Sequence, residues 1–160
     1  MKKIIVSACL LGSFCRYDGK SKPCNEVISL SNQYELIPVC PEVLGGLKTP
    51  RIPAEIKGNK VIRKDGIDVT ENYKIGAKKS LEIANEQNCK IAIFKEKSPS
   101  CGCGLVYDGT YTKTLIEGNG ITADLFLKNG IKVINERELN KLNEDNSEWL
   151  WWNSKLSRQN

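Results

Sequence analysis

Four short apolar, β-branched runs, separated by polar and helical stretches, constrain the fold more than any other feature of this chain. They occupy residues 3–9, 36–40, 91–94 and 131–134. Each reads as a strand, buried in the case of 3–9 and 91–94. Strands alternating with helical patterns imply an α/β fold: a mainly parallel sheet with helices on both faces. Pro38 weighs against a central position for the second run, because proline cannot donate to a ladder. Between the runs, residues 10–22 read as a loop and residues 25–33 as helical. Residues 41–55 are dense in proline and glycine and read as a long loop, which in a compact domain is usually functional or disordered. Residues 56–69 read as a small hairpin with turns at Lys57-Gly58-Asn59 and Lys64-Asp65-Gly66.

The clearest helix is expected to start with Thr70 as N-cap and to end near Asn88. Glu71 suits its positive end, and Tyr73, Ala77, Leu81 and Ala84 recur at helical spacing. Residues 95–104 read as a second functional loop, and residues 105–120 hold short extended pieces. Thr122 is expected to cap a short helix through Lys128, closed by Asn129-Gly130. Residues 1–136 then form one domain. Residues 137–160 form a polar tail, read as helical, with Trp149, Trp151 and Trp152 near its end.

Composition narrows the chemistry. The chain has 160 residues, 40% hydrophobic and 27% charged, which fits one globular domain. No apolar run approaches the ~18–20 residues that span a bilayer. The first apolar stretch reads as a strand and not as a signal peptide, so a cytoplasmic location is the default. The chain has no histidine, which excludes Ser-His-Asp and Cys-His catalysis and His-ligated zinc. A net charge of +5 suits an anionic small molecule or weak nucleic-acid contact and proves neither.

The seven cysteines are odd in number and scattered, which argues against a disulfide scaffold. Cys24 and Cys89, at the ends of helical stretches, read as packing residues. Cys9, Cys40 and Cys101 are different. The first two close predicted strands and the third lies in the loop leaving another. Parallel strands would bring all three to one edge of the sheet, where such sheets bind ligands, and Cys15 would lie nearby. No CxxC pair is present, only the CxC of Cys101-Gly102-Cys103, so a zinc ribbon does not fit. Three scattered thiols could still hold a cubane cluster with one iron open, or be inert core residues.

The same segments carry a family resemblance. Val6-Ser7-Ala8-Cys9-Leu10-Leu11-Gly12, Cys15-Arg16-Tyr17-Asp18-Gly19, Pro38-Val39-Cys40-Pro41-Glu42-Val43-Leu44-Gly45-Gly46, Thr49-Pro50-Arg51-Ile52-Pro53-Ala54-Glu55, Lys95-Glu96-Lys97-Ser98-Pro99-Ser100-Cys101-Gly102 and Tyr107-Asp108-Gly109-Thr110 resemble the thiouracil desulfidase (TudS) family. The resemblance implies a Rossmann-like three-layer α/β domain with an oxygen-sensitive 4Fe–4S cluster held by Cys9, Cys40 and Cys101. The fourth iron would take the substrate's sulfur. The implied reaction replaces the thiocarbonyl sulfur of a thiolated uracil with oxygen from water, without net redox change.

Glu42, two residues from Cys40, would activate water or shuttle protons. A catalytic serine is implied in the third-strand loop, and Ser98 and Ser100 both qualify. Arg16, Tyr17 and Arg51 are candidates for binding a phosphate or stacking on a base. Each has a bland alternative: Glu42 capping a helix, the serines satisfying loop backbone, the arginines in surface salt bridges. Cys103 departs from the pattern as a second thiol that could compete for the open iron. The implied partner is a thiolated nucleobase or nucleotide. Whole tRNA is a weaker candidate, because the additional RNA-directed domain of some relatives is not matched. Oligomeric state is left open. The competing readings are a non-enzymatic iron–sulfur or zinc module, or redox sensor, and a nucleotide-binding domain with packing cysteines only.

Overall fold

The computed structural model describes residues 1–144. The expected α/β fold is present. β1 (Lys2–Ser7), β2 (Tyr34–Val39), β5 (Ile91–Phe94) and β8 (Lys132–Asn135) form one parallel sheet in the order β2-β1-β5-β8. Side chains alternate across it, as a strand's period of two requires. Ile4, Val6, Ile91, Ile93 and Ile134 face one layer; Ile5, Ala92, Phe94 and Val133 face the other. The second layer is made by α3 (Thr70–Glu86) and α4 (Ile121–Lys128), with Phe94 against Phe126 at 5.1 Å between ring centroids. The first is covered by α1 (Asn25–Ile28), the 3-10 turn Ser29–Asn32 and Leu139 and Leu142. Pro38 is accommodated because β2 is an edge strand, paired only with β1.

Two hairpins sit outside this sheet: β3 (Ala54–Lys57) with β4 (Lys60–Arg63), and β6 (Leu105–Tyr107) with β7 (Leu115–Glu117). The long 41–55 loop opens with a single helical turn, α2 (Pro41–Leu44). The expected helix at 25–33 is split between α1 and the 3-10 turn.

Three local expectations are corrected. The first strand ends at Ser7, and Cys9 lies in a 3-10 turn (Ala8–Leu11), not at a strand end. Thr70 is the first residue of α3, not its cap. Its hydroxyl accepts the Val61 amide at 2.9 Å, while Asp68 takes the Thr70 amide at 2.8 Å. Thr122 lies inside α4, whose first amides donate instead to the carbonyls of Pro99 and Ser100. In both threonines a tertiary partner claims the side chain that local sequence reserves for a cap.

Lys132 is buried, and its ammonium donates to the carbonyls of Lys141 and Glu144, which docks the start of the tail on β8. The helix expected further along, with Trp149, Trp151 and Trp152, lies outside the described residues. Among the described residues no helix is long and apolar enough to cross a membrane.

Candidate active-site cleft

The carboxyl ends of β1, β2 and β5 open onto one cleft of about 550 Å³, large enough for a nucleotide-sized ligand. It lies where chain order in the sheet reverses: β1 has β2 on one side and β5 on the other. That reversal is the usual ligand position in open parallel sheets. Cys9, Cys40, Cys101, Glu42, Ser98, Arg16, Tyr17 and Arg51 all line this cleft.

Each thiol is delivered by a different segment. Cys9 sits in the 3-10 turn after β1, where its carbonyl accepts the amides of Gly12 and Lys22. Cys40 is the extended residue between β2 and α2, followed by Pro41 in the helix's first turn, where a missing N–H costs nothing. Cys101 is buried in the loop after β5, with its amide on the Ser98 hydroxyl at 3.1 Å. That loop is fastened to α4. Gly120 approaches so closely that a Cβ there would fall 2.4 Å from the Ser100 carbonyl oxygen. Burial pushes the Cys101 thiol up to about 12, opposed by hydrogen bonding from Ser7. The Cys40 thiol is also pushed far up, first by its hydrogen bond with Cys15 and then by burial.

The first turn of α2 points Glu42 into the cleft. One carboxylate oxygen accepts Arg51 Nη2 at 2.8 Å and the other accepts the Tyr73 hydroxyl from α3. This is no surface salt bridge: the side chains of Arg51 and Glu42 are 8% and 19% exposed. Arg51 also donates to the carbonyls of Cys15 and Lys48 and to the Thr49 hydroxyl. Burial alone would lower its pKa, but the Glu42 carboxylate more than offsets this and raises it. Burial and the same carboxylate push the Tyr73 phenol far up, so Tyr73 acts as a donor. Arg51 Nε is buried and has no hydrogen-bond partner among the described residues.

The two serines part company. The Ser98 hydroxyl lies on the cleft and accepts the amides of Ser100 and Cys101, each at 3.1 Å. Ser100 is buried outside the lining, with its hydroxyl 2.8 Å from that of Thr122. Cys103 also stays out of the cleft: its thiol faces the Val133 carbonyl, and burial pushes it up to about 12. Arg16 has its expected bland partner, Asp18, at 3.8 Å, and lies over the Tyr17 ring at 5.8 Å. Cys89 is buried in the core and Cys24 donates to Glu26, so neither reaches the cleft.

Residues not singled out from the sequence as site residues back Glu42 or complete the cleft walls. Tyr73 reads as one more apolar position on a helix, and nothing local announces that its hydroxyl meets Glu42. Glu55 accepts the amides of Gly109 and Tyr111, tying the two hairpins together. Lys95 pairs with Glu136 at 3.0 Å and Arg137 with Glu96 at 2.8 Å, across the ends of β5 and β8. Charged residues just past two buried strands were the available signal. Eight basic residues line the cleft against three acidic ones, so the mouth favours an anionic ligand.

Among the described residues, no three metal-ligating side chains converge closely enough to hold a single ion. A four-iron cluster makes a different demand, since each iron takes its own thiolate and the ligands surround a wider body. Thiols on separate walls of one cleft fit such a group, and so does the unpartnered Arg51 Nε–H, which wants an anionic acceptor.

Fold and cleft together define an α/β protein that gathers cysteines and a clamped carboxylate at the switch point of a parallel sheet. The chain belongs to the 2-thiouracil desulfurase family, whose model matches residues 4–138. It is 43% identical over 149 residues to the uncharacterized protein YbbK of Bacillus subtilis (strain 168), covering 87% of this chain and 99% of that protein. A solved structure of a [4Fe-4S]-dependent thiouracil desulfidase, TudS, is also 43% identical. It superposes with a TM-score of 0.84 over 89% of this chain and 95% of its own.

Proposed function

We propose that this protein is a [4Fe–4S]-dependent desulfidase. It replaces the thiocarbonyl sulfur of a thiolated uracil, as base or nucleotide, with oxygen from water and without net redox change. The observation that carries the reading is the meeting of Cys9, Cys40 and Cys101 with Glu42 on one cleft, supported by 43% identity to a protein of that activity. The three thiols are the cluster's ligands, leaving one iron without a protein ligand. When bound, the cluster supplies a thiophilic Lewis acid that polarises the C=S bond.

The chain's own residues do the rest. Glu42, oriented by Arg51 and Tyr73, takes a proton from the attacking water. Ser98 donates a hydrogen bond to the substrate from the cleft wall. Ser100 holds the Cys101 loop onto α4 and does not touch substrate. Tyr17 offers a ring for the pyrimidine. Arg16 and the exposed lysines at the mouth favour a phosphorylated substrate over the free base.

The test is anaerobic reconstitution with iron and sulfide, followed by measurement of sulfide released from 4-thiouridine monophosphate and from 2-thiouracil. Release that vanishes in Cys40→Ala and Glu42→Gln supports the reading. A cluster-loaded protein that releases nothing from either compound returns it to a carrier or sensor, and a protein that takes up no iron removes the cluster altogether.

A further inference from the structure

The proposed reaction employs three of the four thiols on the cleft. Cys15 is the fourth. It is half-buried and shares the cleft wall with Cys40 and Cys9. The Cys40 thiol in turn donates to the Cys15 carbonyl oxygen at 3.8 Å. Arg51 Nη2 donates to that same carbonyl at 2.9 Å, which pins residue 15 beside residue 40. Cys9 is the more deeply buried neighbour, at 8% exposure, while Cys40 is half-buried like Cys15. Of the remaining cysteines, Cys24, Cys89 and Cys103 all lie outside the cleft.

We propose that Cys15 and Cys40 form a disulfide in the cluster-free protein, a modification site that keeps Cys40 in a recoverable oxidation state. The benefit to Cys40 rests on its reading as a cluster ligand; the disulfide itself does not. Ligation of Cys40 and this bond exclude one another, so the site exists only when the cluster is absent.

The chemistry balances with hydrogen peroxide as the oxidant. The sulfur of Cys40 attacks one peroxide oxygen, the O–O bond breaks, and a sulfenic acid and one water result. The sulfur of Cys15 then attacks the sulfur of Cys40. The S–O bond breaks, the departing hydroxide takes the thiol proton as a second water, and the S–S bond forms. Two thiols lose two hydrogens and one peroxide becomes two waters. Without a resolving thiol alongside, the sulfenic acid proceeds to sulfinic and sulfonic acids, which are not recovered by thiols. A dithiol reductant reverses the disulfide by exchange.

The experiment uses the full chain, stripped of iron by a chelator and treated with hydrogen peroxide. Remaining thiols are alkylated with iodoacetamide, and the protein is digested without reduction for mass spectrometry. The expected product is a peptide pair joined through Cys15 and Cys40, lighter by two hydrogens. Dithiothreitol followed by anaerobic iron and sulfide should then restore iron uptake to the untreated level. In Cys15→Ser, the same treatment should leave Cys40 as sulfinic or sulfonic acid and iron uptake lost, while untreated Cys15→Ser loads iron like the wild type.

The proposal is overturned if Cys15 of the treated wild type is alkylated while Cys40 pairs elsewhere or is over-oxidised. It is equally overturned if untreated Cys15→Ser loads no iron, which would make Cys15 a ligand. A wild type that forms the Cys15–Cys40 link but never loads iron supports the disulfide and rejects the desulfidase reading instead.

Discussion

The cleft depends on a close crossing of α2 and α3, and a single methyl group at Gly76 tests it. A Cβ built at Gly76 falls 1.8 Å from the Pro41 carbonyl oxygen, and one at Gly45 falls 2.0 Å from that of Asn72. Ordinary contact begins at 3.4 Å, so Gly76→Ala requires the two backbones to part by about 1.6 Å. Neither side is a flexible side-chain tip that swings away. Overpacking of this kind costs ~1–3 kcal/mol, and rigid backbone on both sides puts Gly76 at the upper end. Alanine's better helix propensity returns ~1 kcal/mol. The net expectation is a loss of about 2 kcal/mol.

A displacement of that size also pulls the Tyr73 hydroxyl of α3 away from the Glu42 carboxylate of α2. Urea unfolding of the cluster-free chain, followed by circular dichroism, reads the effect as a midpoint lowered by ~1 M at an m-value of ~2 kcal/mol/M. The exposed Glu82→Ala on the same helix is the control and should stay within ~0.5 kcal/mol of wild type. A Gly76→Ala midpoint at or above wild type would refute the crossing, since propensity alone would then have decided the outcome.

Four further outcomes are expected. Glu42→Gln should lower sulfide release by ~10²–10⁴-fold with iron content unchanged, measured under anaerobic turnover. Tyr73→Phe removes one donor to Glu42; kcat should fall with KM and iron content held, and a changed KM would instead place Tyr73 against substrate. Ser100→Ala strands the buried Thr122 hydroxyl and should cost ~1–3 kcal/mol in thermal unfolding. The surviving folded protein should retain sulfide release, whereas Ser98→Ala should lose it. Finally, burial opposes ionisation of Glu96, but the Arg137 guanidinium and nearby lysines outweigh it and hold its carboxyl below the usual range. A depressed folded-state pKa gives stability that is present above the unfolded value, near 4.5, and is lost as pH falls through the folded one. The melting temperature of wild type should therefore drop below pH ~4.5 more steeply than that of Glu96→Gln.

The parts of this molecule readable from its sequence are those set by continuous local signals. The central strands announce themselves because a strand covered on both faces is apolar along its buried run, as Ile4-Ile5-Val6 of β1 and Ile91-Ala92-Ile93-Phe94 of β5 are. That Cys9, Cys40 and Cys101 share one cleft follows from the parallel strands together with the turn and loops that leave them. What stayed hidden is tertiary. Thr70 and Thr122 have the composition of caps, yet a strand amide and a buried serine take their side chains. Gly45 reads as part of a loop and Gly76 as a weak helix position, and only the crossing explains them. Which of Ser98 and Ser100 faces the cleft depends on the surroundings of each hydroxyl, which two serines flanking one proline do not reveal in sequence.

The absence of histidine asks how this cleft moves protons, and the hydrogen-bond inventory answers it for the proposed reaction. Exchange of C=S for C=O by water delivers both water protons to the departing sulfide. The group that accepts a proton must therefore give it up again within the same turnover. A carboxylate with a guanidinium on one oxygen and a phenol on the other has its orientation fixed before substrate arrives, and the same group can take the proton and pass it on. Ser98 has the opposite polarity. A hydroxyl offers two lone pairs and one hydrogen, and both lone pairs already accept the amides of Ser100 and Cys101. Only the hydrogen is left for the cleft, so Ser98 donates and does not serve as a base. Substrate must then present an acceptor to Ser98 and leave the attacked carbon open to water on the Glu42 side. A pyrimidine thione with a neighbouring carbonyl meets that requirement.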